Sequence, residues 1–154
     1  MVDFNDIRSR TTNVRGYIEE LRGKDKDIML DTYNEYKLDN SVVDGLKDLG
    51  KLIVVAFSAA WCGDCKRAMP VMLHLEEILD WEILVFSKIK TAPLNPDVQW
   101  AVPPSPPEVN EWGVTAIPTF VFFDSDGNEL GKLIEKQQIK NTLEAEILHI
   151  LKNK

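Results

Sequence analysis

The chain has 154 residues, with 18 Lys and Arg against 25 Asp and Glu, a net charge of −7, and 44% apolar residues. That length and apolar content suit one soluble globular domain with a sizeable core. The acidic balance disfavours nucleic acid as a partner, because phosphate binding needs clustered Lys and Arg, and no apolar stretch approaches the ~20 residues that a membrane span requires.

Taken in order, Ile7, Val14, Tyr17, Ile18 and Leu21 recur at helical spacing and predict a helix over about residues 3–22, with Gly23 as its stop. The charged run Lys24 to Asp27 reads as a linker. Met29, Leu30, Tyr33 and Tyr36 predict a second helix over 28–36, and Ser41 is a candidate N-cap for a third, Val42 to Leu49, ended by Gly50. Residues 1–50 therefore read as a helical N-terminal extension, packing material or an edge cover rather than a catalytic part. The N-terminus lacks the basic-then-apolar pattern of a signal peptide, and both cysteines lie in one motif, so no disulfide framework exists. Both features lead to the expectation of a reducing, cytoplasmic location.

Leu52 to Phe57 is an apolar, partly β-branched run, short enough for a strand buried on both faces. Trp61-Cys62-Gly63-Asp64-Cys65-Lys66 follows, and then Ala68, Val71, Met72, Leu75, Ile78 and Leu79 repeat at helical spacing. Two thiols on the first turn of a helix can close and reopen a small disulfide ring without moving the rest of the chain. Cys62, at the helix start, meets unpaired N–H groups and the positive end of the macrodipole, which predicts a lowered pKa and the role of nucleophile. Cys65, one turn in, is the expected resolving thiol. Trp81 to Ile89 reads as a second buried strand, parallel to the first because a right-handed helical crossover joins them.

Residues 91–107 contain Pro93, Pro96, Pro103, Pro104, Pro106 and Pro107 around Trp100, which excludes a long helix or a central strand and predicts a stiff loop beside the thiols. Glu108 to Trp112 reads as a short helical turn. Phe120 to Phe123 and Leu130 to Ile134, joined through Asp126-Gly127, predict a hairpin, and Ile139, Leu143, Ile147, Ile150 and Leu151 form one face of a closing helix. His74 lies nine residues past Cys65, about 13 Å along a helix axis, too far to share a metal with the thiols. His149 reads as a surface or packing residue.

A strand feeding a helix with C-x-x-C at the junction is the context of a thioredoxin-like redox motif. Three blocks of this chain resemble the thioredoxin family: Trp61 to Lys66 with Pro70 beyond it, Trp112 to Phe123 with Pro118, and Asp124 to Asn128 with Gly131. They span roughly residues 50–154. The resemblance implies an α/β thioredoxin-like fold, a central mixed β-sheet flanked by helices, here with the helical extension in front of a domain over 51–154. It further implies that Pro118 is cis and opens an antiparallel strand, with the Ile117 backbone held against the thiols to pair with an extended substrate. The family's first strand has no convincing alternation to match it within residues 1–50.

The resemblance implies a protein disulfide reductase that cycles through a Cys62–Cys65 disulfide, with no bound cofactor expected. Disulfide-containing proteins are its expected substrates. A flavin- and NADPH-dependent reductase or an external thiol such as glutathione is the expected electron donor, since the sequence has no G-x-G-x-x-G of its own. Trp61, Gly63, Asp64, Ile117, Pro118 and Trp100 are the expected substrate-binding residues, and Lys88 is a candidate cation near the thiols or else a solvated lysine. Two departures stand out. Ala56 occupies the strand position where the family commonly has a buried acid, and Asp64 replaces the proline between the cysteines. Two other readings compete: a zinc or iron–sulfur protein using the cysteine pair, for which two thiolates and two misplaced histidines are a poor ligand set, and a redox-inactive binding module.

Overall fold

The computed structural model describes residues 2–89 and 105–152. In chain order the elements are α1 (Phe4–Ser9), α2 (Val14–Glu19), α3 (Gly23–Glu35), α4 (Asn40–Lys47), β1 (Leu52–Phe57), α5 (Gly63–Ile78), β2 (Trp81–Phe86), α6 (Glu108–Glu111), β3 (Thr119–Asp124), β4 (Glu129–Ile134) and α7 (Leu143–Lys152). The sheet order is β2-β1-β3-β4. β1 runs parallel to β2 and antiparallel to β3, and β3 pairs antiparallel with β4. This is the expected mixed sheet with helices around it. β1 is the central strand, and its Val54 to Phe57 are fully buried, as a strand covered on both faces demands.

The N-terminal segment departs from its periodicity. A single helix over 3–22 is expected, but the chain leaves helical geometry between α1 and α2. Thr12 exchanges both backbone hydrogen bonds with Val85, at 3.2 and 2.7 Å, and so covers one position on the outer edge of β2. Asn13 then restarts the helix by accepting the Gly16 N–H at 2.8 Å. The apolar spacing survives the break, because Ile7, Val14, Tyr17 and Ile18 all enter the same core as the sheet.

Three further boundaries differ. Gly23 opens α3 instead of closing the previous helix, at φ +57, a conformation that glycine reaches without a Cβ penalty, so Lys24 to Asp27 are helical and not a linker. Asp39, not Ser41, caps α4, accepting the Ser41 N–H at 3.0 Å. Ile139 lies outside α7 and is 67% exposed; its N–H and that of Lys140 go to the Glu146 carboxylate at 3.0 and 2.8 Å, which holds the segment in a bend. β2 also stops at Phe86, three residues before its expected end.

Interlocking polar contacts attach the first fifty residues to the rest. Glu76 of α5 accepts the Val14 and Arg15 N–H groups at 2.7 and 3.1 Å, capping α2 from another helix. Glu144 of α7, fully buried, accepts the Tyr36 hydroxyl and the Asp39 N–H. Arg10 donates to both Glu108 carboxylate oxygens through its two terminal guanidinium nitrogens and lies 5.2 Å over the Phe86 ring. His74 stacks on Tyr33 with ring centroids 4.1 Å apart, a packing role. α7 lies so close to β4 that a Cβ on Gly131 would sit 2.7 Å from Ile150 Cγ2.

Candidate active site

β1 ends at Phe57, and after five intervening residues α5 begins at Gly63. Cys62 is the N-cap of that helix, with extended backbone (φ −90, ψ 124), and its sulfur accepts the Cys65 N–H at 3.3 Å. The sulfur thus takes the place of the usual capping oxygen, and an N–H of the first turn finds its partner in Cys62. Cys62 is half-buried, whereas Cys65 is fully enclosed.

The two thiols are pushed apart in acidity. The Cys62 pKa falls to about 6, first through a hydrogen bond from the Cys65 side chain and then, against the cost of partial burial, through the Cys65 and Asp64 backbone N–H groups; the Asp64 carboxylate opposes the shift. Burial pushes the Cys65 thiol well above the ordinary range, and its hydrogen bond to Cys62 adds to that, while the Ser58 hydroxyl and the Ala59 backbone pull the other way. One reactive and one reserved thiol therefore stand a helical turn apart.

Asp64 is not an isolated charge. Arg67, three residues on, is ion-paired with its carboxylate. Lys66 points elsewhere, to Asp25 of α3 at 3.0 Å. Across from α5, the Ile117–Pro118 peptide bond is cis, and the Ile117 carbonyl lies 3.5 Å from Cys62 Sγ, where the protonated thiol donates to it. Trp61 is 54% exposed beside Cys62, and its indole N–H donates to the Ile89 carbonyl at 3.2 Å. A helix-start dithiol of split acidity facing a cis-proline backbone is the arrangement at this end of the sheet.

The thioredoxin family model matches residues 11–147. The chain belongs to the thioredoxin family. It is 34% identical over 101 residues to the thioredoxin of Alicyclobacillus acidocaldarius subsp. acidocaldarius, covering 66% of this chain and 83% of that one. It is 32% identical over 95 residues to Thioredoxin H-type 1 of Nicotiana tabacum, covering 60% of this chain and 64% of the tobacco protein, just under two thirds of its length. The fold is similar to that of a Pseudomonas aeruginosa protein of unknown function, at 14% identity and a TM-score of 0.73 over 99% of this chain and 96% of that one.

Within this thioredoxin-family site, Trp61, Cys62, Gly63, Asp64, Cys65, Ile117 and Pro118 come from the β1–α5 junction and the loop before β3, and the contacts above join the two. Gly63 is exposed on the first turn of α5. Trp100 and most of the proline-rich loop lie outside the described residues. Lys88 is not brought to the thiols: it is exposed and lines a cleft with Arg10, Phe86, Ser87, Pro106 and Pro107. That is the solvated alternative of its two sequence readings, and it lies two residues past the end of β2. Among the described residues no group of three or more His, Cys, Asp and Glu side chains is placed to hold a metal ion.

Two residues at this site escape sequence reasoning. Ser58 and Tyr17 are fully buried, and their hydroxyl oxygens are 3.0 Å apart. Ser58 lies one residue past the predicted strand, and a polar residue at the end of an apolar run was the one available signal. Tyr17 carried none, since in the periodicity it counts only as an apolar position.

Proposed function

We propose that the protein is a thiol–disulfide oxidoreductase that reduces protein disulfides through Cys62 and Cys65. The observation that carries this reading is the half-buried Cys62 sulfur, lowered to a pKa of about 6 at the start of α5, with a buried thiol one turn behind it. At neutral pH most Cys62 is thiolate, the form that attacks disulfides. It attacks one sulfur of a substrate disulfide, that S–S bond breaks, and the departing sulfur takes up a proton. Cys65 then attacks Cys62 Sγ, releasing the second substrate thiol and leaving the enzyme disulfide. Two electrons from an external thiol or an NADPH-dependent reductase restore the dithiol.

Ile117 and Pro118 supply the backbone against which an extended substrate segment lies, and exposed Trp61 supplies apolar contact next to the attacking sulfur. The reading further assigns Gly63 and Asp64 to the rim that meets the substrate, and a reducing cytoplasm as the setting. Reduction of insulin by dithiothreitol, followed as turbidity, tests the activity: the wild type accelerates precipitation and Cys62→Ser does not. Cys65→Ser accumulates mixed disulfides with its protein substrates. A wild type that leaves the insulin rate unchanged refutes the proposal.

A further inference from the structure

The strand position at which the family resemblance calls for a buried acid is Ala56, which is fully enclosed, so β1 sends no carboxylate toward Cys65. The resolving thiol has another neighbour. Ser58 lies at the end of β1, its hydroxyl pulls the Cys65 thiol toward ionising, and its oxygen is 3.0 Å from the Tyr17 phenol. All three groups are buried, with Ser58 and Cys65 at 0% and Tyr17 at 1% exposure. Tyr17 comes from α2, whose first turn is fixed to the cysteine helix by Glu76. The N-terminal helices, the end of β1 and the cysteine helix thereby bring a phenol, a hydroxyl and a thiol into one buried site.

Neither hydroxyl is a base. Burial, the largest influence, drives the Tyr17 phenol further from ionising. Their chemistry is that of donors. The charged groups that act on the trio are Cys62 and Asp25, whose carboxylate Lys66 meets at 3.0 Å; Asp64, paired with Arg67, acts on Cys62.

Building on the reductase reading of Cys62 and Cys65, we propose that Ser58 and Tyr17 form a two-hydroxyl donor relay that stabilises Cys65 as a thiolate while it resolves the mixed disulfide. In this relay Ser58 is the hydroxyl that donates to the reacting sulfur. Tyr17 acts through it and is a positioning residue. In the free dithiol, Cys65 has the Cys62 thiolate as acceptor, and that acceptor is lost once Cys62 is bonded to substrate. Cys65 must then give up its proton; its sulfur bonds to Cys62 Sγ, the bond from Cys62 to the substrate sulfur breaks, and the departing sulfur takes that electron pair and a proton. The enzyme dithiol is oxidised and the substrate disulfide reduced, with no net proton gained or lost by the relay. As charge develops on Cys65, the Ser58 O–H turns to the sulfur and the Tyr17 O–H turns to Ser58, two aligned donors in a buried site, where charge-assisted hydrogen bonds are strongest.

The test is stopped-flow reaction of the full-length reduced protein with 5,5′-dithiobis(2-nitrobenzoate), whose two thionitrobenzoate releases report Cys62 attack and then Cys65 resolution, from pH 5 to 10. In Ser58→Ala the second release is expected to slow by about tenfold at pH 7 and its midpoint to rise by about one pH unit, the loss of one hydrogen bond to a charged group. Tyr17→Phe, which keeps the ring and its packing, is expected to slow the second release by about threefold with a smaller rise of the midpoint. The double variant should be no slower than Ser58→Ala, because Tyr17 works only through Ser58. A second release with wild-type rate and midpoint in Tyr17→Phe, or additive losses in the double variant, overturns the relay. A wild type with no first release defeats the reductase reading itself, so the two failures are distinguishable.

Discussion

Asp64 stands between the cysteines beside the nucleophile, and the size of its effect depends on Arg67. A bare carboxylate about 6 Å from the Cys62 sulfur, at an effective dielectric of about 20, would oppose the thiolate by about 3 kcal/mol. The site does not present a bare carboxylate. Arg67 is ion-paired with it, and although the Asp64 side chain is only 19% exposed, the Arg67 side chain is 72% exposed, so solvent and salt screen both. The two screened charges act on the sulfur in opposite senses, each by under about 1 kcal/mol, or about 0.5 pKa unit. Asp64→Asn is therefore expected to lower the Cys62 pKa from about 6 by about half a unit, and Arg67→Ala to raise it by a similar amount. The double variant should return close to wild type. Iodoacetamide labelling of Cys62 against pH measures the shifts. Titration against glutathione should place the Asn variant about 15 mV less negative, since the reduced form loses a penalty. No change in either single variant, or shifts in the opposite sense, would refute the electrostatic argument and leave the pair as ordinary first-turn residues.

Alkylation at neutral pH should label Cys62 well before Cys65, with a midpoint near pH 6; faster labelling of Cys65 would reverse the roles. Because the folded Cys62 thiol is more acidic than the unfolded one, it contributes stability to the reduced protein above the ordinary thiol pKa, and that contribution is lost as pH falls toward 6, a window that urea titrations of reduced wild type and Cys62→Ser should reveal. Arg10→Ala leaves Glu108, 7% exposed, without its guanidinium and should cost about 2–3 kcal/mol in urea unfolding, below the value for a fully buried pair. Gly131→Ala would push a methyl to 2.7 Å from Ile150 Cγ2 and should cost about 1–3 kcal/mol, with α7 displaced from β4; a neutral result would show that Ile150 rotates away.

Much of the fold was legible because its signals are local. Leu52 to Phe57 is an apolar run between charged and small residues, the Asp126-Gly127 turn sits between two apolar segments with Gly127 at φ +89, and the cysteines mark a helix start where one of them serves as cap. Such features arise from neighbours in the chain, and periodicity and turn chemistry register them. What sequence reasoning missed depends on partners far along the chain. Helical spacing across Arg10 to Asn13 is uninterrupted in apolar pattern, yet the helix breaks there because Val85, 73 residues away, offers Thr12 two backbone hydrogen bonds. Ile139 matches the face of α7 by spacing, but Glu146 draws its N–H into a bend instead. At the active site, Cys62 and Cys65 announce themselves by spacing and the helix-start chemistry follows from it. The Tyr17 phenol reaches Ser58 across 41 residues because α2 is capped onto α5 by Glu76, and no local pattern encodes a meeting that three separate elements must fold together to create.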